Sequence, residues 1–188
     1  MQYDQIADAV VEDWWKPLHS DHGDRGAKAR LKRCKSVLDA LLEPETHKLI
    51  AKVHGKGYAS ETNLAVLALT LARVKPAEQP TRFPKFATVL GHTRDNKIPK
   101  DNDPPRLSPM RFSALLRAGA DKDKDRFAQA LRRALAILGD TPFDMRRFVL
   151  DILFFNDQTQ RNTQRNWTFE YYHTPHASNT QSREETQL

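Results

Sequence analysis

Four residues within six positions, His19, Asp21, His22 and Asp24 in the run H-S-D-H-G-D, combine two imidazoles with two carboxylates. Such groups are competent ligands for zinc or a harder cation, but a metal site needs three or four donors converging on one point. In a loop these residue types serve more often as turn formers, and Asp24 stands where an N-cap carboxylate accepts the first free amides of the next helix. Elsewhere no catalytic pattern is complete. The G-K-G at 55 to 57 lacks the P-loop spacing and its following Ser or Thr, and neither G-x-S-x-G nor H-E-x-x-H occurs. The expectation is a chain with no active site, no metal and no cofactor.

Positive charge is the stronger chemical signal. The stretch D-R-G-A-K-A-R-L-K-R-C-K, residues 24 to 35, holds six Lys or Arg against one Asp. On a 3.6-residue wheel Lys28, Lys32 and Lys35 share a face with Arg25, while Arg30 and Arg33 flank the apolar stripe from the other side. No acidic residue occurs between Asp24 and Asp39. Like charges at i and i+4 therefore repel, at roughly 0.2–0.5 kcal/mol per pair, and a bound anion would reverse that cost. Two later groups are similar: Arg106, Arg111 and Arg117 along or just before one helix, and the doublet Arg132-Arg133 on the next. Arginine grips phosphate with two parallel N–H donors. The candidate nucleic-acid-binding set is thus Arg25, Lys28, Lys32, Arg33, Lys35, Arg106, Arg111, Arg117, Arg132 and Arg133. With no aromatic groups clearly on the same faces, backbone contact is expected and base readout is not. Trp14, Trp15 and Trp167 recur with other apolar residues at helical spacing and read as core, as does Cys34 between Leu31 and Leu38.

The bulk composition agrees. Thirty Lys plus Arg against 24 Asp plus Glu in 188 residues give a formal charge of +6, which favours anionic partners. One cysteine excludes an intramolecular disulfide. No apolar run approaches the roughly 18 residues of a membrane span, and M-Q-Y-D-Q-I-A-D lacks the order of a signal peptide. A soluble cytoplasmic protein with no membrane partner is expected.

The elements that must position these charges are helices, so the fold class is all-α, a helical bundle of two small lobes. Tyr3, Ile6, Val10, Trp14 and Leu18 predict an amphipathic helix over 3–18, and Ala27, Leu31, Cys34, Leu38 and Leu41 predict another over about 25–42. Behind the Ser60 N-cap, Leu64 to Leu71 is apolar on nearly every side and reads as a buried central helix. Residues 75 to 106 hold six of the 11 prolines, which predicts a short helix at about 83–90 and then an exposed, mobile loop. Ser108 with Pro109 opens a helix that runs to Gly119. Asp121 opens one that ends at Gly139, and a Thr141–Asp144 capping box starts a third with Phe148, Ile152 and Phe155 inside. A last aromatic segment spans 158–172. The organisation expected is an N-terminal lobe over 1–90, a Pro-rich loop over 91–106, a C-terminal lobe over 107–172 and a disordered tail over 173–188.

W-W-x-x-L at 14 to 18, D-R-G-A-K-A-R-L-K-R-C at 24 to 34, L-S-P-M-R-F-S-A-L-L-R-A at 107 to 118, A-L-R-R-A-L at 130 to 135 and W-x-x-x-Y-Y at 167 to 172 occur in this order. This ordered set resembles the CasB family, the small subunits of the type I-E CRISPR surveillance complex Cascade. The resemblance implies a non-catalytic, all-helical protein of two lobes that pairs with a second copy of itself beside the other Cascade subunits and the CRISPR RNA. It also implies phosphate contacts to target DNA that hold the R-loop open. By position, Lys32, Arg33, Arg111, Arg117, Arg132 and Arg133 match basic positions of relatives. The rival readings are a helical scaffold whose basic faces bind acidic proteins, and an enzyme built on His19, Asp21, His22 and Asp24.

Overall fold

Pro17 has no N–H to return to the preceding turn, and the first helix accommodates it by widening. Helix α1, Gln2–Val10, passes through a π turn at Val11–Trp15 into α2, Lys16–His19. The extra residue lets two consecutive indoles point inward. Trp14 Nε1 donates to the Glu45 carbonyl at 3.2 Å, and Trp15 Nε1 donates to the Val74 carbonyl at 2.9 Å. All three tryptophans are buried as expected. The computed structural model describes residues 2–57, 59–76, 83–100, 103–156 and 162–173, and shows helices with no strand among them. The expected tail beyond His173 lies outside the described residues.

The helix expected over 25–42 is two helices, α3 at Arg25–Arg33 and α4 at Val37–Leu41. A capping box breaks it: the Ser36 hydroxyl accepts the Asp39 amide at 3.0 Å, while Asp39 Oδ2 accepts the amides of Lys35 at 2.8 Å and Ser36 at 3.1 Å. Local side-chain bonds of this kind compete with helix propagation. Restarting the helix changes its phase, so Val37 and Ala40 face inward while Leu38, expected in the core, is 65% exposed.

The next helix, α5 at Pro44–His54, has no counterpart in the sequence reading. Helix α6, Glu61–Leu71, is the buried centre expected: every residue from Leu64 to Leu71 is buried. Then come α7 at Phe86–Gly91, α8 at Pro109–Ala120, α9 at Lys124–Leu138, α10 at Met145–Leu153 and α11 at Thr163–Tyr171. Two caps differ from expectation. Asp121 closes α8, and Asp123 opens α9 by accepting the Arg126 amide at 3.1 Å. Asp144 caps α10 through the Arg147 amide at 2.9 Å, which leaves the Thr141 hydroxyl for another donor.

Helix α6 packs against α4, α5, α9 and α10, while α1 packs on α10 and α7 on α11. The buried side chains join in one cluster that draws on elements either side of the 91–106 segment. Phe86, Phe148 and Trp167 form its aromatic centre, with ring centroids 4.7–5.1 Å apart around Phe86. Trp167 Nε1 donates to the buried carboxylate of Asp151 at 2.9 Å, beside Arg147 at 3.0 Å. Glycine is required where α7 meets α11, because a Cβ on Gly91 would stand 2.1 Å from the Tyr171 carbonyl oxygen.

Candidate nucleic-acid interface

The basic helix α3 is built as its sequence implies at one end only. Asp24 Oδ1 accepts the Ala27 amide at 2.9 Å, and Ala27 and Leu31 are buried. Arg30 is paired with Glu43 at 2.9 Å. The side chains of Arg25, Lys28, Lys32, Arg33 and Lys35 make no hydrogen bond or ion pair among the described residues, although Lys35 acts electrostatically on Asp39, and all but half-buried Lys28 are exposed.

At the other end two guanidinium groups from distant parts of the chain meet the free carbonyls of α3. Arg73 Nη2 donates to the Lys32 carbonyl, and Arg132 Nη2 donates to the Cys34 carbonyl at 2.8 Å, with Arg132 Nε 3.5 Å from the Leu69 carbonyl. Cations here satisfy the orphan acceptors and complement the negative end of the helix dipole. Arg132, expected to grip phosphate, is therefore half-buried and engaged with the protein. Burial, then the neighbouring charge of Arg73, lowers its pKa. Arg133, next along α9, is exposed and has no partner among the described residues.

Arg73 follows the end of α6, which is itself capped. Trp15 and His19, one turn apart on the first helix, both meet the Leu71 carbonyl, at 3.2 and 3.0 Å. The His19 pKa falls to about 4, first through burial and then through Lys28, Lys32 and Lys75, against the opposing Leu71 bond. Its ring is thus neutral at pH 7 and donates through Nε2. Three lysines from two segments act on it electrostatically. Arg73 and Lys75 were missed in the sequence reading, although A-R-V-K immediately after the buried helix was a visible basic run.

Of the four residues in H-S-D-H-G-D, His19 bonds the Leu71 carbonyl and Asp24 accepts the Ala27 amide. No three His, Cys, Asp or Glu residues are grouped to hold a cation among the described residues. Cys34 is a buried thiol whose pKa burial raises, and its Sγ lies 3.3 Å from the Arg30 carbonyl.

A second basic group lies past the other end of α9. Arg106, also expected to grip phosphate, turns its guanidinium inward. Nε donates to the Thr93 carbonyl at 2.9 Å, Nη2 to the Arg94 carbonyl at 2.9 Å and Nη1 to the Thr141 hydroxyl. The Pro-rich segment, expected to be loose, is fastened here: the Arg106 amide also bonds the His92 carbonyl at 2.8 Å. Arg111 is exposed and lines a concavity with Arg94, Arg106 and Ile137. Arg117, six residues further along α8, is rotated by about 120° from Arg111 at 100° per residue, and does not join them.

The profile of the family described as CRISPR-associated protein Cse2 matches residues 27–172. The chain belongs to the Cse2 family. Cse2 is the CasB small subunit of type I-E Cascade, so this Cse2 chain is a Cascade subunit of CRISPR defence. No curated protein and no solved structure matches it. Every basic residue of the candidate set except Arg25 falls within the matched span, whereas W-W-x-x-L at 14 to 18 precedes it. No helix of this Cse2 chain is long and apolar enough, among the described residues, to cross a membrane.

Proposed function

We propose that this chain is a non-catalytic Cascade subunit that stabilises the R-loop by sequence-independent contacts to DNA phosphates. The observation that carries this reading is the set Lys28, Lys32, Arg33, Lys75 and Arg133, none of them ion-paired to an acidic side chain among the described residues: Lys28, Lys32 and Lys75 all act electrostatically on His19, and Arg132, beside Arg133, is anchored at the end of α3. Folding this much like charge together costs stability, and an anionic backbone offsets it. A subunit that works beside RNA-guided base pairing needs charge and shape rather than base readout, and few contacts tip the nearly balanced strand exchange. Its ligands are target DNA and the CRISPR RNA, and its protein partners are other Cascade subunits and a second copy of itself.

The test is the double substitution Lys28→Ala with Lys32→Ala, in which neither side chain makes a hydrogen bond or ion pair among the described residues. Binding of a labelled oligonucleotide followed by anisotropy should weaken, and the slope of log K against log salt should fall by roughly 1.4–1.8 for two lost phosphate contacts. The melting temperature should hold. An unchanged affinity and slope, together with saturable binding to an acidic protein, would establish the scaffold reading instead.

A further inference from the structure

The concavity lined by Arg94, Arg106, Arg111 and Ile137 has a volume of about 370 Å³. That lies at the lower end of the roughly 300–1,000 Å³ found for small-molecule sites. Its cations have divided roles. Arg106 has all three of its guanidinium nitrogens bonded to the chain, and two of those bonds hold the carbonyls of Thr93 and Arg94. The turn it clamps is closed on its other side, by Thr93 N to the Lys97 carbonyl at 2.8 Å and by Lys97 N to the Thr93 hydroxyl at 3.2 Å. Asn96 supplies the left-handed backbone that the turn requires, at φ 60°. Arg94 therefore projects from a fixed backbone. Its guanidinium and that of Arg111 have no hydrogen bond or ion pair among the described residues, and adjacent Asp95 has none either. The first turn of α8, which carries Arg111, contains no acidic side chain.

Two guanidinium groups without a partner among the described residues, lining one concavity with an aliphatic side chain, match a phosphate attached to a sugar. Each fork can take two phosphate oxygens in parallel, and Ile137, 36% exposed, can cover the carbon side of the ribose. We propose that this concavity is a phosphate seat, separate from the basic end of α3, in which Arg94 and Arg111 grip the phosphate oxygens of one nucleotide against Ile137. The identification of the ligand as a nucleotide rests on the nucleic-acid reading above, while the seat itself rests on its own geometry. Arg133, one turn before Ile137 on α9 and exposed, lies between the seat and Arg132. A strand held at both places would span part of α9.

The experiment follows the Ile137 methyl signal by NMR in the full chain, with inorganic phosphate or acetate added at equal ionic strength. A saturable shift with phosphate only is expected, lost in Arg94→Ala with Arg111→Ala and kept in Lys28→Ala with Lys32→Ala. No saturable shift, an equal response to acetate, or survival of the shift in the Arg94/Arg111 variant overturns the seat. Single-stranded oligonucleotides with and without a 5′-phosphate then separate two sources of the same chemistry. The Arg94/Arg111 variant should bind about tenfold more weakly, with the loss confined to the phosphorylated strand for a terminal phosphate and equal for both strands for an internal one. Unchanged oligonucleotide affinity in that variant, with weakening in the Lys28/Lys32 variant, leaves the α3 interface standing and removes the seat from it. A phosphate shift in a wild-type chain that binds neither strand removes the nucleic-acid reading and leaves an anion seat.

Discussion

Replacing Arg132 by alanine removes one contact at the end of the basic helix, to Cys34, and one to Leu69 of α6, whereas the same change at its neighbour Arg133 removes none among the described residues. The bond from Arg132 Nη2 to the Cys34 carbonyl, 2.8 Å long, is charge-assisted and half-buried, and is worth roughly 1.5–3 kcal/mol. The cation at the helix end adds about 0.3–1 kcal/mol. The 3.5 Å contact to Leu69 is too long to count for much. Release of Arg132 from burial and from the repulsion of Arg73 opposes these terms. A net destabilisation of about 2 kcal/mol follows, which for a chain of 188 residues corresponds to a melting point about 4–8 °C lower. Arg133→Ala should stay within about 0.5 kcal/mol of the parent. It should instead reduce the salt slope of oligonucleotide binding by roughly 0.7–0.9. Thermal denaturation and anisotropy on both single variants separate the roles. Equal stability of the two variants, or a salt slope lowered by Arg132→Ala alone, would refute the assignment of Arg132 to the framework and Arg133 to the ligand.

Three further outcomes are expected. Because the folded His19 pKa of about 4 lies below its ordinary 6.5, the unfolded chain binds the extra proton first; stability from His19 is full above pH 6.5 and is lost as pH falls toward 4, so denaturant titrations should show a shallower pH dependence in that window for His19→Gln. Leu38→Ser should change stability by no more than about 0.5 kcal/mol in urea denaturation, since the side chain is 65% exposed; a loss of several kcal/mol would restore the unbroken helix. Gly91→Ala should lower the melting point through roughly 1–3 kcal/mol of overpacking, because α11 must retreat from the new Cβ.

The helical class, the buried centre at Leu64 to Leu71 and the inward set Phe148, Ile152 and Phe155 were legible from the spacing of apolar residues alone. Periodicity reports which side of a local element is apolar, and in these segments nothing interrupted it. Where a side chain could bond its own backbone the reading failed, as at Ser36 and Asp39, because a capping box looks like two polar residues on a helix surface until its reciprocal bonds form.

Basic residues raise the same distinction at longer range. Their number and clustering, from Arg25 to Lys35 and again at Arg132-Arg133, are properties of the chain and raise the expectation of an anionic partner without any fold. Which of them are free is a property of the fold. Arg106 and Arg132 look like their neighbours in sequence, yet they end on carbonyls of residues 93, 94 and 34, brought within reach only by packing. Lys75 and Arg94 entered the candidate interface for the complementary reason, since their positions depend on the capped end of α6 and on a clamped turn. An apolar stripe is dictated by neighbours three and four residues away, whereas a guanidinium finds its acceptor across the folded chain, so only tertiary structure separates the arginines that build this surface from those left to bind.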